Sequence, residues 1–372
     1  MDAVQQLFEK ILLWLIKIIA ARPVCAPKDL PVASFKRIIV VRQHDQLGDL
    51  LISTPAIRAL RKRFPNAHLA VVVRDYTMAM MVNNPNIDQL IIFHDKLKNW
   101  SWAELKRFWH ELRKDGGYDC AIVLNTVSRS FSSDLVALAS RAPYIIGPDH
   151  LQHVPSMSES IYNVLSHRDP AKKPEIEHNL DVVAVLGAEP DTFEYDLVPT
   201  NEERIEAENI FLSLGLQKSK PVVGVHFGTL ALSRRYPLEK LAEFIDAIIE
   251  RFNAQVILIV GPNEVELRKY LLSIVHNRVY SAPLMPIRVS AAFLNHLDVF
   301  VSNDTGTLHI ASAERIPTVT FYGPTDHTVW KPPHRRHFAV ISPDRHMNSI
   351  TTEQAVSVFA DALAYVKTIG KK

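Results

Sequence analysis

Cysteine, glycine and any surplus of charge are all scarce in this chain of 372 residues, and each shortage removes a class of protein. Two cysteines, Cys25 and Cys120, cannot build a disulfide framework and point to a reducing compartment. No Cys/His cluster has the spacing of a zinc site. Lys and Arg together number 42 against 40 Asp and Glu, so the net charge of +2 supplies no general field to draw nucleic acid. Glycine occurs only 12 times, and neither a GxGxxG fingerprint nor a GxxxxGK[ST] loop is present, which leaves dinucleotide binding and P-loop hydrolysis without support. The most apolar run, "LFEKILLWLIKIIAA" at 7–21, is too short and too interrupted by Glu9, Lys10 and Lys17 to span a bilayer, and no small-residue cleavage site follows it.

That run is nevertheless amphipathic. On a helical wheel Asp2, Gln6, Lys10 and Lys17 fall on one narrow side and leave a wide apolar arc that includes Trp14. The geometry suits a helix lying in a membrane interface, with peripheral association through residues 7–21. A helix packed on its own domain or on a dimer partner fits nearly as well. Pro23, Pro27 and Pro31 then make a stiff link, so 1–34 reads as a helix and linker ahead of the first domain.

A hydrophobic fraction of 47% is ample for two cores at this length. Strand and helix patterns alternate throughout. The first half predicts strands at 37–42, 68–73, 89–93, 119–124 and 144–147, with helices at 49–63, 101–114 and 131–140. Residues 148–175 are rich in polar groups and proline, and a helix at 176–187 closes the domain. The second half predicts strands at 221–226, 255–260, 298–301 and 317–321, with helices at 201–214, 237–251, 263–276, 287–296, 305–315 and 352–368. This is the pattern of an α/β protein with parallel sheets, in which ligands bind beyond the carboxyl ends of the strands.

Two turns stand out. In "DVFVSNDTGTLHIASAERIPTVTFYGPTD", residues 298–326, a strand enters the polar turn Asn303, Asp304, Thr305, Gly306 and then a helix. Free backbone N–H groups and the helix dipole make such a start an anion site. Asp304 or Thr305 serving as an ordinary N-cap accounts for the same residues. In "RIIVVRQHDQLGDLLISTPAIRALRKRFPNAHLAVVV", residues 37–73, a strand meets a polar loop ending in Gly48 and Asp49, followed by a helix and another strand. Asp49 therefore sits at the carboxyl edge of a parallel sheet, as a reactive carboxylate or as a complement to the helix dipole.

Taken together, "LGDLLISTPAIRALR", "GVHFGTLALSRRYPLEKLAEFI" and "NDTGTLHIASAERIPTVTFYGPTD" resemble glycosyltransferase family 9, the ADP-heptose:lipopolysaccharide heptosyltransferases. The likeness runs from about residue 37 to about 332. Three motifs in order are far more specific than any one. The resemblance implies the GT-B fold, two doubly wound Rossmann-like domains facing across a cleft. Residues 35–195 would bind the acceptor and 196–350 the nucleotide sugar, while the helix in 351–372 crosses back to the first domain in many proteins of that fold. It further implies inverting transfer from ADP-heptose to a lipid-linked oligosaccharide of the lipopolysaccharide inner core, with no metal and no resident cofactor. The setting would be cytoplasmic, or peripheral on the cytoplasmic face of the inner membrane.

Residue roles carry over position by position. Asp49 matches the family's catalytic base, next to Gly48. The loop between Arg42 and Gly48 is one residue longer than the family pattern, which makes His44 and Asp45 rival bases. Thr305, Gly306 and Thr307 would hold the leaving diphosphate with Asp304 orienting the turn, and His309 would add a donor. Arg234 stands at the family's usual lysine, with Arg235 adjacent, and keeps the charge in a bidentate form. Thr229 matches a phosphate-contacting threonine, although Leu230 lacks the hydroxyl that some members carry. Asn263, Glu264 and Met285 would meet the nucleoside.

Each role has a structural competitor: Arg234 and Arg235 as a solvated loop, His309 as a packed helix residue, Met285 as core filler. At the level of function the competitors are a transferase with a protein or other glycan as acceptor, or with a different sugar donor, and a non-catalytic glycan-binding or assembly module of the same fold. A nucleotide-dependent oxidoreductase or epimerase lacks its glycine fingerprint here.

Overall fold

Runs such as Ile38–Val41 are apolar at every position rather than at alternate ones, which requires a strand covered on both faces. The computed structural model, which describes residues 22–43, 46–149, 161–167, 173–217 and 219–369, builds two parallel sheets from such strands. The chain divides into Met1–Phe193 and Glu194–Lys372. The amphipathic run at 7–21 and the rival bases His44 and Asp45 lie outside the described residues.

The first unit contains β1 (Arg37–Val41), α1 (Leu47–Ile52), α2 (Thr54–Arg63), β2 (His68–Arg74), β3 (Gln89–Phe93), α3 (Trp102–Arg113), β4 (Cys120–Val123), α4 (Phe131–Ala139), β5 (Tyr144–Pro148), β6 (Val164–Ser166) and α5 (Glu175–Ala184). The sheet order is β3-β2-β1-β4-β5-β6, with every pairing parallel. Ile38, Ile39, Val40 and Val41 are all buried, as their composition requires.

The second unit contains α6 (Asn201–Ser213), β7 (Val222–His226), α7 (Leu238–Phe252), β8 (Gln255–Leu258), α8 (Val265–Ile274), β9 (Tyr280–Ser281), α9 (Ile287–Leu294), β10 (Val299–Asn303), α10 (Gly306–Ala313), β11 (Thr318–Tyr322), the single turn α11 (His327–Trp330), β12 (His337–Ile341) and α12 (Thr352–Ile369). Its order, β12-β11-β10-β7-β8-β9, is all parallel and repeats that of the first sheet. In each sheet the chain reverses beside its first strand, at β1/β4 and at β7/β10, and the crevice at such a switch point is where open α/β sheets bind ligands. The C-terminal helix α12 seats Ala355, Val356, Phe359, Ala362, Leu363 and Val366 in the core of this second unit.

The departures from the sequence pattern have local causes. The single helix expected at 49–63 is two, because Pro55 has no N–H to give Leu51 and its ring crowds that carbonyl. The hydroxyls of Ser53 and Thr54 donate instead to Leu50 O at 2.6 Å and Leu51 O at 2.7 Å. Strand β6 lies inside the stretch 148–175 expected to be irregular, and β9 and β12 were also not predicted. All three are short or at a sheet edge, where a period of two is too brief to register. The helix expected from 263 opens as one 3₁₀ turn, Pro262–Glu264, before α8 begins.

Candidate active site

Helix α10 starts where β10 ends, and a helix start of this kind can hold an anion. Thr305 occupies the N-cap position in an extended conformation, yet its side chain caps nothing. The Thr305 hydroxyl lies 2.8 Å from that of Thr307 and 3.4 Å from Asn303 O. The ordinary N-cap explanation of these residues therefore fails for both candidates: Thr305 does not cap, and Asp304 precedes the N-cap. The N–H groups of Gly306 and Thr307 lie in the first turn, where no intrahelical carbonyl reaches them.

A polar chain runs on from Thr307. Its hydroxyl is 3.3 Å from His226 Nδ1, at the end of β7, and His226 Nε2 is 3.2 Å from Glu264 Oε2. With the ring proton on Nε2, Thr307 donates to Nδ1 and His226 donates to Glu264, so every link is satisfied. Glu264 Oε2 also accepts from the Gly261 N–H at 2.7 Å. Burial pushes the Glu264 carboxyl up, but His226, that N–H and the nearby positive Arg235 outweigh it and hold the group below its ordinary value. Gly228 is what admits this carboxylate, since a Cβ there would lie 1.5 Å from Glu264 Oε1.

Asn303 ties the same edge together. Its Oδ1 accepts from the Tyr236 N–H and its Nδ2 donates to Phe227 O, each at 3.0 Å. The loop between those two anchors carries Thr229, Arg234 and Arg235. Thr229 donates to Ala231 O at 3.3 Å. The Arg234 side chain is 49% exposed, with Nη1 4.0 Å from the buried Asp304 carboxylate, and Arg235 is half-buried. Asn263 is exposed on the 3₁₀ turn after β8, and Met285 is half-buried on the loop after β9.

His309 is placed differently from the rest of its motif. It is 4% exposed, with its ring 5.8 Å from that of Tyr195. Burial lowers its pKa to about 4, so the imidazole is neutral at pH 7. It is an interior residue of α10 and not part of the open turn. His226 and Asn303, by contrast, received no role from the sequence. Asn303 was read only as part of the polar turn, and the one signal for His226 was its position at a strand end.

In the first unit Asp49 is the third residue of α1 and half-buried. Its Oδ2 accepts from the Gln46 N–H at 3.1 Å, a helix-start contact, and Gly48 beside it is buried. Arg42 Nη2 donates to Asp49 O at 3.3 Å, and Gln43 donates to the hydroxyls of Ser132 and Ser133 at 3.0 and 3.1 Å. Among the described residues, no group of three or more His, Cys, Asp or Glu side chains is arranged to hold a metal ion.

The same edge carries a histidine between two carboxylates. His94 Nδ1 is 2.9 Å from Asp75 Oδ2, and Nε2 is 3.4 Å from Glu104 Oε2. The Asp75 hydrogen bond above all, helped by Glu104, raises the His94 pKa from 6.5. Burial pushes Asp75 up, but hydrogen bonds from His94, the Tyr76 N–H and Asn99 bring it below 3.8. A raised histidine stabilises the fold fully below pH 6.5 and ceases to as pH climbs through its folded value, whereas a depressed aspartate stabilises above 3.8 and ceases to as pH falls. The stability gap between the parent protein and His94→Gln is therefore expected to be widest near pH 5–6. Denaturant titrations at pH 5.5 and 9 check this; an equal gap at both would show that the charge on His94 contributes nothing.

A family model described as glycosyltransferase family 9 (heptosyltransferase) matches residues 105–357. The chain belongs to glycosyltransferase family 9. It is accordingly a glycosyltransferase, as its three motifs implied. Among curated family members, lipopolysaccharide heptosyltransferase 3 of Escherichia coli is 24% identical over 301 residues, covering 77% of this chain and 83% of that one. Two solved structures share the architecture. The glycosyl transferase family 9 protein from Veillonella parvula superposes with a TM-score of 0.77 at 22% identity, over 89% of this chain and 97% of that one. The E. coli heptosyltransferase WaaC with ADP gives 0.69 at 21%, over 87% and 99%. These likenesses establish the GT-B class of the fold, two Rossmann-like units.

Proposed function

We propose that this glycosyltransferase moves a heptose from ADP-heptose to a lipopolysaccharide inner-core acceptor, with inversion and without a divalent ion, on the cytoplasmic side of the inner membrane. The observation that carries the donor half is the start of α10, where the N-cap residue Thr305 caps no N–H and a polar chain from Thr307 through His226 to Glu264 adjoins the terminus. A pyrophosphate is the kind of ligand such a terminus accepts. Arg234 and Arg235 supply the cationic charge that a metal would otherwise bring to the leaving diphosphate. Glu264, kept ionised, suits the hydroxyls of a ribose as an acceptor-only group. The ADP of the WaaC structure and the name of the E. coli relative support adenosine and heptose.

In this reading Asp49 takes the proton from the acceptor hydroxyl as it attacks the anomeric carbon. The C–O bond to the diphosphate breaks as the new glycosidic bond forms, and the developing negative charge passes to the α10 terminus and the two arginines. Asp304 orients the turn beneath Arg234.

Thermal unfolding in EDTA with ADP, UDP, GDP, CMP or NAD tests the donor. At a hundred times its dissociation constant a bound nucleotide adds about 2.7 kcal/mol, and ADP alone is expected to do so. Selective stabilisation by UDP or GDP would replace the heptose donor, and a response that required magnesium would remove the metal-free site.

A further inference from the structure

Helix α3 turns an unusual face to solvent. Its inner side is ordinary: Phe108 and Leu112 are buried in the first unit's core, and the Phe108 ring sits edge-on to Phe93 and Trp100 at 5.9 and 5.3 Å. Trp100 completes that contact by donating to His94 O at 2.7 Å. Trp102, two residues later, does the reverse. It is 88% exposed, and Trp109 is 38% exposed.

At 3.6 residues per turn Trp102, Lys106, Trp109 and Arg113 fall within an arc of roughly 60°. The Arg113 guanidinium lies over the Trp109 ring at 4.3 Å from its centre. Lys106 and Arg113 are exposed, and the exposed Lys98 and Lys114 flank the two ends of the helix. The helix's two acids are turned away from this stripe. Glu104 faces His94 and Arg107, and Glu111 lies half a turn from Trp102 around the axis. Tryptophans and cations together on one exposed face, with the acids on another, suit contact with a bilayer interface: indoles favour the headgroup level and the cations meet anionic headgroups.

We propose that the outer face of α3 docks the protein onto an anionic phospholipid surface. Helix α3 follows β3, so its first turn, with Trp102, lies at the carboxyl edge of the first sheet, the edge that also carries Asp49. A bilayer against this flank would hold the first unit with that edge beside the lipid headgroups. The inference concerns the surface alone and stands whether or not the transferred sugar is a heptose.

Co-sedimentation of the full chain with vesicles of phosphatidylcholine, with and without 30% phosphatidylglycerol, tests it. The parent chain is expected to bind the anionic vesicles in preference. Lys106→Ala should weaken that binding about fivefold, since each cation at such a surface contributes roughly that factor. Trp102→Ser should weaken it at least as much. Both variants change exposed residues, so their unfolding midpoints and nucleotide stabilisation are expected to match the parent, which distinguishes a docking surface from a damaged fold. If both variants sediment as the parent does, the binding belongs elsewhere in the chain and the proposal fails. It fails equally if the parent binds neither vesicle, or if it binds heparin or RNA with the same dependence on these residues but no vesicle.

Discussion

Asp49→Asn is expected to lower the rate of sugar transfer by about 10²- to 10⁴-fold, the usual contribution of a positioned general base. Asparagine is the informative substitution because Asp49 has two duties in the proposed mechanism. Its Oδ2 accepts from the Gln46 N–H at the start of α1, and an amide oxygen can accept that bond as well. The helix start therefore survives in Asp49→Asn, and the unfolding midpoint should move little. Asp49→Ala removes both duties, losing the rate and, with the helix-start contact, about 1 kcal/mol of stability. Steady-state transfer rates and thermal melts of the two variants separate the roles. Full activity in Asp49→Asn would remove Asp49 as the base and turn attention to His44 and Asp45 in the same loop.

Asn303→Ala is expected to be strongly destabilising at the carboxyl edge of the second sheet. Asn303 is buried, and its two hydrogen bonds fix the backbone on both sides of the arginine loop, at Phe227 O and at the Tyr236 N–H. Alanine leaves a backbone acceptor and a backbone donor without these partners, each costing about 1–3 kcal/mol when buried. A loss of roughly 2–6 kcal/mol for the second unit follows. Released at both ends, the loop no longer holds Arg234 and Arg235 at one place, so stabilisation by ADP should fall along with the fold. The unfolding midpoint, with and without ADP, measures both effects. An unchanged midpoint would mean that water or a neighbouring group takes over both contacts. Aspartate at this position would keep the acceptor for Tyr236 but bring a buried charge and no donor for Phe227 O, so it is not expected to rescue.

Much of the architecture was legible in the chain itself. The strands β1, β2, β4, β7 and β8 each carry a short apolar run, and such runs state their own burial because no other surroundings tolerate them. The helices α2, α3 and α7 carry a 3.6-residue apolar period, which likewise needs no partner to be read. The three ordered motifs also fixed the family, since local turns that bring backbone N–H groups to a strand end require particular residues in sequence. Asp49, Thr305, Gly306 and Thr307 were nominated in this way.

Other features depend on pairs of residues that the chain holds far apart. The strands β6, β9 and β12 are recognisable by the neighbour they pair with and not by their own pattern. That Thr305 leaves its helix uncapped, while Asp49 accepts a helix-start hydrogen bond, is a matter of side-chain direction that composition cannot express. His226 gains its place only because β7 and β10 are adjacent, which brings it to Thr307 from 81 positions away. Trp100 and Trp102 make the point within three residues: the chain writes both as tryptophan, and only the packing of α3 on β3 decides that one packs against the core and the other meets the solvent. Sequence determines what a segment can bury by itself, whereas contacts between segments, and the sites made from them, wait on the topology that brings them together.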